Sequence, residues 1–202
     1  MSIAKIILNP YAKRWEARER IPEIVNLLNE FQIPHELVQT EAPGHGIELA
    51  AQAVRDGFSP IVAAGGDSTI NEVVNGIMQV WKERQEARLS SGEEEPPEEN
   101  AAPQEAGEQS PPEVEPLPPL GVIPLGTAND LVANLGLPEN VRDALLVIST
   151  QKTRMLDVGQ CNQRYFVNNS GIGLEPYATY LQANMPGNPR STTRYLRAAL
   201  RA

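Results

Sequence analysis

Two glycines followed by short polar residues form the segment of the chain best suited to chemistry. Gly65 and Gly66 end a compact apolar run, and Asp67, Ser68 and Thr69 open a stretch with helical periodicity. Glycines let the backbone turn sharply and approach a ligand, while hydroxyls and the free amides of a helix start donate to anionic oxygens. The turn therefore predicts a phosphate cradle. The alternative is an ordinary strand-to-helix turn with Ser68 or Thr69 as the N-cap.

Asp67 narrows the kind of phosphate chemistry. A carboxylate beside a phosphate-binding turn is unfavourable unless a metal ion or a hydroxyl proton is nearby, so Asp67 favours magnesium-linked phosphate chemistry, with the metal reached through water. The alternative is that the Asp67 carboxylate caps a helix.

A second turn repeats this design after the next strand pattern. Gly126 permits close approach, Thr127 offers a hydroxyl, and Asn129 and Asp130 begin another helical stretch. Ligands of open parallel sheets bind beyond the carboxyl ends of the strands, so we expect the two turns to line one crevice.

The elements that must position these turns alternate along the chain. Strand patterns cover residues 3–8, 33–40, 58–64 and 120–124, and helical patterns cover residues 21–31, 44–56, 68–88, 129–135 and 141–149. Alternation of this kind predicts right-handed βαβ units and an α/β fold in which a parallel sheet lies between two layers of helices.

A change of composition interrupts the pattern at residues 90–119. This segment contains nine glutamates, eight prolines and no lysine or arginine. It lacks the apolar residues that would offset an ordering entropy of about 1–2 kcal/mol per residue. We interpret it as a disordered insert within the domain, the alternative being a linker between domains.

Charge and composition exclude several classes of function. The chain has a net charge of -9, but outside the insert 17 acidic residues face 17 basic ones, so no nucleic-acid-binding surface is expected. The single cysteine, Cys161, cannot form an internal disulfide, and the two histidines have no metal-ligand spacing. No apolar run reaches the roughly 20 residues of a membrane span. These features favour a cytoplasmic protein.

The pattern changes after residue 150. Residues 153–160 and 165–169 are predicted to form two strands of a hairpin, and residues 193–201 a helix after a Pro/Gly/Asn-rich stretch at 185–190. We therefore predict an α/β domain over residues 1–150 and the beginning of a second, β-rich domain over residues 151–202.

The motifs in this order resemble those of the diacylglycerol kinase catalytic domain, and within it the bacterial lipid kinase branch, which is related to sphingosine and NAD kinases. The resemblance rests on residues 65–76 and 124–131, on Asn9 and Pro10 after the first strand, and on residues 156–159, 166–169 and 171–173. It covers about residues 3–180 apart from the insert.

This resemblance implies a kinase that transfers the γ-phosphoryl group of ATP, with Mg²⁺, to a lipid such as diacylglycerol at a membrane surface, through transient, peripheral contact. The resemblance leaves it open whether the protein forms a homodimer. Adenosine is expected near Asn9, Pro10, Tyr11, Ala12, Lys13 and Thr40. The phosphates are expected near Gly65, Gly66, Asp67, Ser68, Thr69, Ile70, Asn71, Glu72, Gly126, Thr127, Asn129 and Asp130. The family's general base and structural metal site are expected beyond residue 202, so we expect weak or no activity from this chain alone.

Two departures from the family pattern stand inside the motifs. Ser68 replaces a third glycine, which would cost about 1–3 kcal/mol if the position needed a backbone angle open only to glycine. Residues 11–15 lack the usual Ser-Gly pair. Trp15 and Trp81 are interpreted as packing residues.

Two other functions remain open from the sequence. One is a kinase for a soluble acceptor such as NAD, since the Gly-Gly-Asp turn and the Asn71-Glu72 pair occur there as well. The turn that begins at Gly126 favours the lipid branch. The other is a nucleotide-binding or interaction module without catalysis, with the acidic insert as its arm.

Overall fold

A four-stranded parallel sheet forms the centre of the fold. The computed structural model describes residues 2–90, 116–171, 173–185 and 192–201. The strands are β1 (Ala4–Leu8), β2 (His35–Gln39), β3 (Ile61–Gly65) and β4 (Leu120–Pro124). They lie in the order β2-β1-β3-β4, and each neighbouring pair is parallel. The predicted α/β fold with a parallel sheet is confirmed.

Helices cover both faces of this sheet. They are α1 (Glu16–Glu19), α2 (Ile21–Glu30), α3 (His45–Arg55), α4 (Asp67–Ser90), α5 (Asp130–Leu135) and α6 (Val141–Ser149). Ile7 belongs to a buried cluster with residues of α3 and α4, whereas Ile6 and Leu8 belong to a cluster with residues of α2 and α6. Because successive side chains of a strand point to opposite faces, β1 contributes to both clusters and the domain has three layers.

The register of the sheet brings the strand ends to one edge. Gly65 is the partner of Pro124, and the amide of Leu125 donates to the carbonyl of Gly65 at 2.9 Å. The amides of Asn9 and Thr40 continue the ladder beyond β1 and β2 in the same way. The polar residues that follow the four strands therefore lie along the same edge.

Several element boundaries differ from the predicted ones. β2 begins at residue 35 and β3 at residue 61, later than the predicted 33 and 58. Pro34 and Pro60 stand immediately before these strands, and proline has no amide to donate to a ladder. The single turn α1 was not predicted, because four residues are too few to show a helical period.

The predicted insert falls mainly on residues 91–115, which lie outside the described residues. Ser90 ends α4, and Leu117 packs against the cluster that includes α3 and α4. The amide of Ile61 donates to the carbonyl of Pro119 at 3.0 Å. The segment thus connects α4 to a strand of the same sheet.

An antiparallel hairpin of β5 (Gly159–Cys161) and β6 (Arg164–Phe166) follows the sheet. Both strands are shorter than predicted, and residues 152–158 are mostly exposed without regular structure. Tyr165 is buried, its carbonyl accepts from Asn75 Nδ2 at 2.9 Å, and its amide donates to Asn75 Oδ1 at 3.0 Å. The hairpin is therefore fixed to α4 of the parallel-sheet domain.

The chain divides into two compact units, Met1–Val167 and Asn168–Ala202. In its described part, the second unit consists of α7 (Leu174–Asn184) and α8 (Thr192–Ala199), which contact each other. α8 agrees with the predicted helix, whereas α7 was not predicted. The predicted division at residue 150 and the β-rich second domain stay predictions.

Candidate functional site

The two predicted glycine turns touch at the carboxyl edge of the sheet. A Cβ placed on Gly126 would lie 2.5 Å from the Cα of Gly66, and a Cβ on Gly66 would lie 3.1 Å from the Cα of Gly126. Non-bonded carbon atoms rest about 3.5–4.0 Å apart, so a side chain at Gly126 would force the turns to separate. The predicted convergence of the turns is confirmed.

A cavity of about 290 Å³ lies where these turns meet. All the residues that line it are among those predicted to bind the nucleotide: Asn9, Ala12, Lys13, Gly66, Asp67, Ser68, Gly126 and Thr127. They come from the segment after β1, the start of α4 and the turn after β4. Lys13 is the basic side chain in this lining and Asp67 the acidic one.

Asp67 ties the two turns together through its carboxylate. Oδ2 accepts from the amide of Asp130 at 3.2 Å, and Oδ1 accepts from the amide of Leu131 at 3.1 Å. These amides belong to the first turn of α5, whose donors have no partner within the helix and favour a nearby negative charge. Asp67 thus acts as a cap, but for α5 rather than for its own helix. Each carboxylate oxygen keeps capacity for a further hydrogen bond from water.

Asn129 shapes the second turn. Its backbone is left-handed at φ 53°, a conformation that asparagine adopts more readily than most residues. Its Oδ1 accepts from the amide of Gly126 at 3.0 Å. Asn129 and Asp130 therefore hold the turn in shape, and neither lines the cavity.

Glu72 performs a similar role for another helix. Its Oε1 accepts from the amide of Gly44 at 2.8 Å, and its Oε2 accepts from the amide of Gly46 at 2.9 Å, both at the start of α3. A Cβ on Gly46 would lie 2.6 Å from Oε2, so a side chain at this position would displace the carboxylate. Glu72 was predicted to bind the nucleotide, and the structure places its carboxylate against α3 instead of in the cavity lining.

Asn9 and Thr69 link the end of β1 to α4. Asn9 Nδ2 donates to Thr69 Oγ1 at 3.1 Å, and Asn9 Oδ1 accepts from the amide of Tyr11 at 3.0 Å. A Cβ on Gly65 would lie 2.3 Å from Thr69 Oγ1, which explains the first glycine of the turn. Asn9 lines the cavity, whereas Thr69 and Thr40 are buried and are not part of its lining.

Three other predicted residues lie away from the cavity lining. Pro10 and Ile70 are buried. Asn71 Nδ2 donates to the carbonyl of Tyr165 at 3.1 Å, next to the bonds that Asn75 makes to the same residue. Asn71 thus holds the hairpin, a role invisible in the sequence because its partner lies 94 residues away.

Ser68 causes no backbone strain. It lies in the first turn of α4, and it is not among the residues with positive φ. The substitution of the family's third glycine therefore carries no conformational penalty, and Ser68 lines the cavity.

The segment after Asn9 has an unusual conformation. Lys13, Arg14 and Trp15 all have positive φ, at 50°, 60° and 76°. The Trp15 side chain is 50% exposed and its ring contacts that of Tyr11, so it packs only in part. The sequence signal for this conformation was the absence of the family's Ser-Gly pair. Because this loop has no glycine, residues other than glycine adopt its left-handed backbone angles.

Among the described residues, no group of three or more His, Cys, Asp or Glu side chains could hold a metal ion. Magnesium in phosphate sites usually keeps several waters and takes one or two carboxylates together with the phosphates themselves. Asp67, with its remaining acceptor capacity, fits this kind of water-mediated site.

The fold and the paired turns define an open α/β domain with a crevice at the carboxyl edge of its parallel sheet, where the strand order reverses between β1 and β3. The chain belongs to the diacylglycerol kinase catalytic domain family, whose model matches residues 4–161.

Individual relatives agree with this family. The chain is 30% identical over 177 residues to a diacylglycerol kinase of Staphylococcus haemolyticus, covering 88% of this chain and 43% of the relative. It is 33% identical over 134 residues to a probable lipid kinase YegS-like of Chromohalobacter salexigens, covering 65% of this chain and 33% of that protein. The chain thus spans less than half the length of these relatives.

A solved structure shares the fold. The crystal structure of a diacylglycerol kinase from Bacillus anthracis str. Sterne matches with a TM-score of 0.61 and 23% identity, over 90% of this chain and 53% of that one. In the described part of our chain, none of the helices has the length and apolar character needed to cross a membrane.

Proposed function

We propose that this chain is the ATP-binding portion of a lipid kinase that transfers the γ-phosphoryl group of ATP to a lipid hydroxyl such as that of diacylglycerol. The observation that carries the proposal is the contact between the turns at Gly66 and Gly126, which together line one cavity with the start of α4. Family membership supports the same activity.

The cavity offers hydrogen-bond donors suited to phosphate oxygens. Gly66, Asp67 and Ser68 line it at the amino end of the 24-residue helix α4. The first amides of a helix lack intrahelical partners, and the helix dipole favours negative charge there. Ser68 and Thr127, which also line the cavity, carry hydroxyls that can donate to phosphate oxygens, and the glycines leave the backbone accessible.

Lys13 supplies positive charge for the triphosphate. Its ammonium group pairs with Glu16 at 2.9 Å, and both side chains are about half exposed. An exposed pair of this kind contributes little, at most about 1 kcal/mol. Lys13 can therefore exchange Glu16 for a phosphate oxygen at low cost. Mg²⁺ bound with the nucleotide would neutralise further charge, and Asp67 could contact its water shell.

The transfer itself needs few protein groups. The lipid hydroxyl oxygen forms a bond to the γ-phosphorus, the bond to the bridging oxygen of ADP breaks, and the hydroxyl proton passes to a base. Because the Asp67 carboxylate already accepts two backbone amides of α5, we assign it to holding the two turns together. We propose that the base belongs to the remaining part of the kinase, and that residues 1–202 alone bind ATP but transfer phosphate weakly or not at all.

Two measurements on the same sample test this function. Calorimetry with ATP and magnesium should give binding at one site. Incubation with labelled ATP and diacylglycerol micelles, or with NAD as the acceptor, should give little labelled product. Absence of ATP binding by the folded protein would contradict the proposal. Rapid phosphatidate formation would refute the assignment of the base to another part of the kinase. Phosphate transfer to NAD would show that the acceptor is NAD and not a lipid.

A further inference from the structure

Two large aromatic side chains lie exposed beside the phosphate cavity. Tyr11 is 44% exposed and Trp15 is 50% exposed, and their ring centroids are 4.3 Å apart with an interplanar angle of 63°. Burying a tryptophan ring would normally stabilise the fold by a few kcal/mol. Because half of the Trp15 side chain stays exposed, the fold does not gain this full stabilisation.

The backbone that presents Trp15 is strained. Lys13, Arg14 and Trp15 follow one another with positive φ, and each non-glycine residue in this region costs about 1–2 kcal/mol. Strain of this kind collects at ligand-binding segments, where the surrounding structure holds it in place. Here it places Trp15 against Tyr11 instead of in the core.

The pair is anchored to the two strands that flank the site. The hydroxyl of Tyr11 donates to the carbonyl of Glu41 at 3.2 Å, just beyond the end of β2, and the Tyr11 amide donates to Asn9 Oδ1 at 3.0 Å. Ala12 and Lys13, between the two aromatic residues, line the cavity. The aromatic pair is thus held at a defined place at the edge of the phosphate site.

We propose that Tyr11 and Trp15 form a stacking platform for the purine base of the bound nucleotide. This inference rests on the proposed function and specifies where the base of ATP binds. A base has a flat π-face, and stacking on an aromatic side chain is worth about 1–3 kcal/mol. The neighbouring cavity is lined by Asn9, Lys13 and other polar groups, which fit a triphosphate and disfavour an acyl chain.

The chain provides its own spectroscopic probe for this inference. Its two tryptophans are Trp15 and Trp81, and Trp81 lies on α4 outside the cavity lining. In Trp81→Phe, the emission therefore reports on Trp15 alone. Titration with magnesium and ATP should quench it, whereas magnesium and tripolyphosphate, which carries no base, should bind without quenching.

The variant Trp15→Ala separates the base from the phosphates. ATP binding should weaken by about fivefold to a hundredfold, while tripolyphosphate binding stays unchanged, because stacking is lost and the phosphate contacts remain. Trp15→Phe, which keeps a ring, should retain most of the ATP affinity.

Four results would overturn the platform. The first is an unchanged ATP affinity in Trp15→Ala. The second is an equal weakening of ATP and tripolyphosphate binding in this variant, which would show that Trp15 maintains the shape of the loop. Quenching by diacylglycerol-containing phosphatidylcholine vesicles without ATP would assign the pair to a lipid surface. Failure of the folded wild-type chain to bind either ligand would instead remove the proposed function on which the platform rests.

Discussion

Replacing Gly126 by alanine should damage the site more than it damages the fold. The new Cβ would lie 2.5 Å from the Cα of Gly66 and 2.6 Å from Asn129 Oδ1. Since a comfortable carbon–carbon contact is about 3.5–4.0 Å, the two turns must move apart by roughly 1 Å. That displacement takes donors out of the 2.7–3.2 Å range of a good hydrogen bond.

The expected loss follows from the bonds affected. One or two hydrogen bonds to a charged phosphate, each worth about 1.5–3 kcal/mol, correspond to roughly a hundredfold loss of ATP affinity. Overpacking should also lower the free energy of unfolding by about 1–3 kcal/mol. Titration calorimetry with magnesium and ATP measures the first effect, and urea denaturation measures the second.

Gly136→Ala is the matched control. Gly136 caps the carboxyl end of α5 with φ 64°, and no atom lies within 4 Å of an added Cβ. Alanine there should cost about 1–2 kcal/mol of stability through backbone strain alone and leave ATP affinity unchanged. If folded Gly126→Ala bound ATP as tightly as Gly136→Ala does, the argument that contact between the turns forms the site would be refuted.

Three further variants probe the helix starts and the surface. Glu72→Gln should lower the free energy of unfolding by about 1–3 kcal/mol, because an amide oxygen and an NH₂ group cannot accept from both amides of α3, and ATP affinity should stay unchanged. An unaltered urea midpoint would show that this pair of hydrogen bonds contributes nothing to stability. Ser68→Gly should weaken ATP binding severalfold, since it removes a hydroxyl from the cavity lining, and lower stability by up to about 1 kcal/mol, since it removes a helix-favouring residue. Tighter ATP binding would contradict the proposed contact of the hydroxyl with the nucleotide. Hydrogen bonds from Arg55, then from Gln79, hold the pKa of Glu83 below its ordinary 4.5, so this pair stabilises the fold above that pH and the stabilisation is lost as the pH falls below it. Arg55→Gln should therefore flatten the acid dependence of stability below pH 4.5, by less than about 1 kcal/mol for so exposed a pair, and an unchanged acid limb would exclude the pair's contribution.

The positions of the two turns were predictable because they depend on local signals. Gly65 and Gly66 end a buried strand, Gly126 follows the next strand of the same type, and parallel strands bring their carboxyl ends to one edge. The sheet and the cavity lining follow from these few rules.

The roles of the polar side chains could not be predicted in the same way. Glu72 finds its amides 26 and 28 residues earlier in the chain, Asp67 finds its amides 63 and 64 residues later, and Asn71 finds its carbonyl 94 residues later. Such partners depend on tertiary packing, so residue type alone suggested ligand contacts where the fold uses these side chains to cap helices or to hold the hairpin. The half-exposed position of Trp15 could not be predicted for a related reason, because the left-handed turn that presents it has no periodicity.

Nuclear magnetic resonance of the chain labelled with ¹⁵N-glycine offers the most direct test of a single phosphate site built from both turns. Addition of ATP with magnesium should shift the amide signals of Gly66 and Gly126 together, with the same apparent Kd. The signal of Gly57, which lies at the amino ends of the strands, should not shift. A shift confined to one of the two turns, or no shift at either in the folded protein, would contradict the account.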